Sequence, residues 1–177
     1  MACKAAFGGA LITNNFRGLI AEAIVRSVLP PEWRWCSADY AAWDFERSDG
    51  VRLEVKQSAS KQTWARSNGK PSACSFDIRS RVGRYEGADW FAEPGRSAHL
   101  YVFAHHPVID ETADHCDPSQ WRFFVVPTEM LPGGKRIGLR SLANLASACP
   151  IDELAKAIEH VAAQLHAVGS PQGRSSS

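Results

Sequence analysis

The sequence predicts an α/β domain in which β-strands are flanked by helices, and three patterns carry that expectation. Val51, Leu53 and Val55 alternate with Arg52, Glu54 and Lys56, the period of a strand with one apolar and one polar face. Residues 98–104 and 121–126 are nearly continuous in apolar side chains, the mark of strands covered on both sides. Residues 14–29 and 151–168 carry apolar side chains at helical spacing. A chain of 177 residues with 45% hydrophobic content suits one domain with a substantial core. Its expected span is residues 1–168, followed by a polar, disordered tail over 169–177.

Composition narrows the setting. The formal charge of +1 argues against a histone-like or polybasic binder. Five scattered cysteines (Cys3, Cys36, Cys74, Cys116, Cys149), none in a Cys-x-x-Cys pair, indicate neither a disulfide framework nor a zinc ribbon, and a reducing, cytoplasmic setting fits them. The N-terminal segment does not read as a signal peptide, and no apolar run reaches the length that spans a bilayer.

Thr13 or Asn14 can cap a helix that runs to Leu29 and stops at Pro30-Pro31. Its core-facing stripe reads as Phe16, Ile20, Ala23 and Ser27, with Leu19 and Ile24 beside them, which leaves Glu22 off the stripe near Gly18 and Arg26. Trp33 and Trp35 then read as packing residues of a short extended segment that leads into a hairpin.

In that hairpin a three-residue loop of Ser48-Asp49-Gly50, with Gly50 left-handed, pairs Arg47 with Val51 and sets Asp44 opposite Glu54. A two-residue loop would shift the register by one and turn every side chain to the other face. Two opposed carboxylates repel by roughly 0.2–1 kcal/mol, and a divalent cation removes that cost. Asp44, Glu54 and the peptide carbonyl of Val55 supply three hard oxygens of the kind Mg2+ prefers. Lys56, on the same face as Glu54, could hold or help deprotonate a water there.

Asp44, nine intervening residues, then Glu54-Val55-Lys56 resembles the D-(x)n-(D/E)-x-K signature of the PD-(D/E)xK, or restriction-endonuclease-like, nucleases. Trp43 stands where the name-giving proline would be. The resemblance covers roughly residues 14–126 and implies a restriction-endonuclease-like core with a central mixed β-sheet of about five strands, and hydrolysis of nucleic-acid phosphodiesters with Mg2+ or Mn2+. By the same resemblance Glu22 would lean over the metal site; by residue pattern alone it pairs with Arg26 on the helix surface. Gln57 would contact substrate or orient the water, although strict alternation points it away from Glu54 and Lys56 unless the strand ends or bulges there.

Between residues 51 and 84 eight basic side chains stand against two acidic ones, a footprint suited to a phosphate backbone. The candidates for nucleic-acid contact are Lys61, Arg66, Lys70, Arg79, Arg81 and Arg84. Trp64, Tyr85 and Trp90 interleave with them and read either as base-stacking or as packing side chains. Residues 76–79 alternate and are expected as the third strand, with Asp77 and Arg79 on its polar face. Residues 105–117, rich in His, Asp and Cys, match no zinc spacing and are expected as an acidic, solvated loop. After a turn at Pro132-Gly133-Gly134, residues 141–148 predict a short helix and residues 151–168 a long one against the sheet, ending at Gly169.

The reading that follows is a divalent-metal-dependent endonuclease acting on DNA, as a homodimer or with a partner domain. The alternative is a catalytically inactive nuclease-fold module that binds nucleic acid or protein.

Overall fold

Asparagine and threonine at residues 13–15 start the first helix, and Pro30-Pro31 ends it. In a computed structural model describing residues 7–36, 41–64, 71–86 and 89–169, this is α1 (Asn14–Val28), with Thr13 as its N-cap. The chain then lays down β1 (Trp33–Trp35), β2 (Phe45–Arg47) and β3 (Arg52–Ala59), each antiparallel to the one before. Gly50, at φ +86°, closes the turn between β2 and β3. The Gly50 amide donates to the Arg47 carbonyl and the Arg47 amide to the Val51 carbonyl, both at 2.8 Å. Phe45 therefore faces Leu53 and Glu46 faces Arg52, the register that a three-residue loop imposes.

The described residues between β3 and the next strand of the sheet carry β4 (Ser75–Asp77) and a ribbon of β5 (Arg84–Glu86) and β6 (Asp89–Phe91). The chain re-enters as β7 (Leu100–His106), parallel to β3 and buried throughout, and returns antiparallel as β8 (Arg122–Pro127). The result is a mixed five-stranded sheet in the order β1-β2-β3-β7-β8, the expected architecture. β9 (Arg136–Gly138) pairs with β4 outside it, and α2 (Leu139–Ala143) and α3 (Ile151–Gly169) follow. No described helix is long and apolar enough to cross a membrane.

Each face of the sheet has its own apolar core. On one, Leu53, Val55, Val102 and Val125 pack with Ala21, Ile24 and Val25 of α1 and Leu154 and Ile158 of α3. On the other, Tyr101, Phe103, Phe124 and Val126 pack with Phe76 and Ile78, with Ile137 of β9 and Leu142 of α2. The odd-numbered side chains of β3 thus enter the helix layer, and Glu54 and Lys56 the opposite one.

Four expectations are corrected here. The buried stripe of α1 is Arg17, Ala21, Ile24 and Val25, whereas Phe16 and Leu19 are exposed; Arg17 is a buried cation that pattern reading assigns to solvent. Residues 75–77 form no third strand of the main sheet, because their partner is β9, sixty residues on. The helix expected over 141–148 is shorter and begins at Leu139. In the 105–117 loop, Asp110 and Glu111 are exposed as expected, but His106 and His115 are fully buried, their rings perpendicular at 4.8 Å. His115 Nδ1 accepts the Ile12 amide at 2.9 Å, and the Trp121 indole donates to the His115 carbonyl at 3.1 Å. The tail over 170–177 lies outside the described residues.

Because a left-handed residue with a Cβ is disfavoured, Gly50→Ala should lower the unfolding free energy by about 1–2 kcal/mol, read from urea denaturation. Gly50→Asn, whose side chain tolerates that conformation, should cost less; equal losses for the two would show that the left-handed turn is not what the position requires.

Candidate active site

The site begins where β2 stops. Trp43 packs with Phe76 and Tyr101 in one core and Phe45 with Leu53 in the other, although residues two apart on a regular strand share a face. The chain therefore bends at Asp44. The Asp44 amide still reaches the Leu53 carbonyl at 3.0 Å, and its carboxylate Oδ2 accepts the Val55 amide at 2.6 Å, occupying the ladder position that the departing strand vacates. The N–H and C=O of one strand residue point to the same neighbour, so the Val55 carbonyl is turned to this edge as well.

Glu54 and Lys56 project from the next positions of β3, beside Tyr101 and Phe103 of β7, and are ion-paired through Oε1 and Nζ. Asp44 and Glu54 line an open cavity of about 600 Å3 together with Arg79, Arg81, Gly83 and Trp90. A small recess behind it adds Lys56, Asp77 and Arg96.

Asp44 and Glu54 share the cavity lining with Arg79 and Arg81. The Asp44 carboxyl is pushed up to about 8, first by burial, then by Glu54 and then by Glu22, against the opposing effects of the Val55 amide and Lys56. Burial, and next Glu54, also raise the Tyr101 hydroxyl. Asp77 moves the other way. Burial would raise it, but the Arg79 amide and guanidinium, with Lys56, outweigh that and hold it below the usual carboxylate range.

The structure thus brings Asp44, Glu54, Lys56 and the Val55 backbone together. Glu22 comes near enough for its charge to act on Asp44, and its Oε2 accepts the Trp35 indole N–H at 3.0 Å. Among the described residues no three His, Cys, Asp or Glu side chains gather as a ready metal cage. A metal here would be held by Asp44, Glu54 and the Val55 carbonyl, with Glu22 as a charge behind them. That donor set of hard oxygens, with the Asp44 carboxyl raised first by burial and then by Glu54 and Glu22, fits a divalent ion of the Mg2+ class.

Gln57 is a correction. β3 runs unbulged beside β7 to Ala59, so Gln57 falls on the helix side, where its Oε1 accepts from Arg17 Nε at 2.6 Å and its amide donates to Asn14 Oδ1 at 3.1 Å. Lys61 does not line the cavity; its ammonium donates to the Asp110 carbonyl at 2.7 Å. Arg79 lines the cavity while bonded to Asp77 at 2.9 Å, and Arg81 lies beside it. Arg66, Lys70 and the Arg84 side chain lie outside the described residues.

Sequence reasoning missed Asp77 as a wall residue, although it placed Asp77 and Arg79 together on one polar face. It also missed Arg96, whose guanidinium donates to the carbonyls of Ile78 at 2.7 Å and Pro132 at 2.6 Å and so fastens the crossover beside the site. Nothing in the local pattern marks Arg96, because its acceptors are backbone atoms distant in sequence.

No family model and no curated protein matches the chain. Among solved structures the chain is similar to one described as the structure of a bacterial homing endonuclease, I-Ssp6803I, with 16% identity, a TM-score of 0.43, and 90% of this chain and 99% of that one covered. A similarity this low assigns no function, which must come from the side chains.

Asp44 ionises near 3.8 in an unfolded chain and near 8 in the fold. Between those values the folded state binds more protons than the unfolded one, so stability without divalent ions should fall as pH rises from about 4 to about 8. Asp44→Asn keeps an oxygen for the Val55 amide and removes the charge. Urea denaturation in EDTA at pH 5 and pH 8 should show the wild type losing stability relative to this variant at the higher pH; parallel profiles would refute the assignment of the raised carboxyl.

Proposed function

We propose that the protein is a divalent-metal-dependent nuclease of the PD-(D/E)xK type, hydrolysing phosphodiester bonds of nucleic acid, with DNA as the expected substrate. The observation that carries this reading is the convergence of Asp44, Glu54 and Lys56 at the point where β2 leaves β3, beside an open cavity edged with Arg79 and Arg81. Asp44, raised first by burial and then by Glu54 and Glu22, would be relieved by a bound cation, a relief that an ion-paired polar face on an ordinary strand does not call for.

Asp44, Glu54 and the Val55 carbonyl would hold Mg2+ or Mn2+, which when bound would supply Lewis-acid polarisation of the phosphate and a lowered water pKa. The Val55 amide fixes the Asp44 carboxylate and so orients one oxygen of the pair. Lys56, anchored on Glu54, places an ammonium where negative charge builds on the phosphate oxygens and where an attacking water can be held. Arg79 and Arg81 would bind flanking phosphates, and Glu22 adds negative charge that favours a cation over an empty carboxylate pair.

Purified protein with Mg2+ or Mn2+ should cut plasmid or oligonucleotide DNA, and EDTA should stop it. Lys56→Ala and Glu54→Ala should each lower the rate by about 100-fold or more, while circular dichroism shows the fold intact. Salt-sensitive DNA binding with no cleavage under either metal would instead favour the inactive binding module.

A further inference from the structure

We infer that Trp90 is a stacking platform for an unpaired nucleotide next to the cleaved phosphate, so that the substrate is a nucleic acid with a locally single-stranded segment; this rests on the nuclease reading and narrows it.

Residues 81–86 and 89–95 form an arm beside the site. Arg81 and Gly95 close its base by exchanging backbone hydrogen bonds at 2.8 and 2.9 Å, and β5 and β6 form the arm itself, with Tyr85 opposite Trp90. Arg96 ties the base to the core through the Ile78 and Pro132 carbonyls. The arm therefore has a fixed root and a defined place at the cavity mouth.

Gly83 explains how the indole is seated. A Cβ at this position would fall 2.5 Å from Cζ2 of the Trp90 ring and 2.5 Å from the Phe91 carbonyl, distances that neither a ring nor backbone can accommodate by small shifts. Only glycine lets the indole lie this close to the chain. Seated so, Trp90 keeps 49% of its surface exposed and lines the same cavity as Asp44 and Glu54. Val82, 79% exposed, extends the apolar rim, and Arg79 and Arg81 supply positive charge on the same wall.

An aromatic wall, guanidinium groups and an acidic pair in one cavity match three features of a polynucleotide: a base, a flanking phosphate and the scissile phosphate. The base is the discriminating part. Within a duplex both faces of each base are covered by neighbours, whereas an unpaired base can offer a face to an indole. The cavity, about 600 Å3, lies within the roughly 300–1,000 Å3 range of sites that enclose small ligands.

The test measures binding in EDTA, so cleavage plays no part. Fluorescein-labelled DNA is offered either as a single-stranded oligonucleotide or as the same sequence fully paired, and a second single-stranded probe carries 2-aminopurine, whose emission drops when it stacks. The wild type should prefer the single strand and quench 2-aminopurine. Trp90→Ala should lose roughly 5- to 150-fold in single-strand affinity together with the quenching, while Trp90→Phe should retain most of both. Gly83→Ala, which displaces the indole, should reproduce the Trp90→Ala result with the tryptophan still present. Equal affinity of wild type and Trp90→Ala for the single strand, or stronger binding of the duplex by the wild type, would overturn the proposal even if metal-dependent cleavage were established. Binding and quenching as described, in a protein that never cuts, would uphold the platform and sink the nuclease.

Discussion

The hydrogen bond from the Val55 amide to the Asp44 carboxylate is the constraint from which the site is built. It stands at the end of a ladder. Backbone N–H groups beside a departing strand must find another acceptor or water, and here a side chain of the departing strand itself provides one. The bond fixes a carboxylate at the edge of β3, next to Glu54, in a position that burial and like charge make unfavourable for an anion. A regular continuation of β2 would satisfy the amide with a carbonyl and leave the acid nowhere to go. The bend at Asp44, visible in the assignment of Trp43 and Phe45 to opposite cores, therefore does two things: it ends the hairpin and it arms the site.

The helix layer holds this arrangement from behind. Arg17 is fully buried, and its guanidinium donates to the neutral acceptors Gln57, Asn14 and the Ile12 carbonyl. Burying a cation without a carboxylate costs several kcal/mol unless its donors are well satisfied, so these acceptors are structurally necessary. Their effect is to tie the first turn of α1 to β3 at the residue following Lys56. Rotation of α1 about its axis is then set by the Arg17, Ala21, Ile24 and Val25 stripe, and Glu22, adjacent to that stripe, is held on the side of β1, where it meets Trp35. Gln57 thus serves the site from the reverse face of the strand, through the helix.

What was legible in the sequence follows the range of the interactions. The hairpin register was legible because alternation and a left-handed glycine act within fifteen residues, and so were β7 and β8, whose apolar runs need only local reading, although β8 lies at the edge of the sheet. The stripe of α1 was not, because pattern reading places arginine outside and phenylalanine inside, and tertiary bonds to Gln57 invert that at Arg17 while Phe16 and Leu19 stay exposed. The pairing of β4 with β9 was not legible either, since neither segment signals a partner sixty residues away. Gln57 was the instructive case: alternation alone pointed it away from Glu54, and the strand obeyed alternation where the family resemblance pulled the other way.

The cations of the site bear on how substrate is held. Lys56 is already paired with Glu54 and Arg79 with Asp77. A phosphate arriving at this wall exchanges one partner for another, and an exchange of ion pairs gains less than the capture of a bare charge. With a formal charge of only +1 over the chain, long-range attraction adds little. Affinity must then come from contacts that salt does not screen, and the exposed apolar surface at the cavity, Trp90 over Gly83 with Val82 beside it, is where such contacts are available. On the proposed reading, weak electrostatics and a seated aromatic ring are two halves of one arrangement, in which shape and stacking, more than charge, would decide which strand stays at the acids.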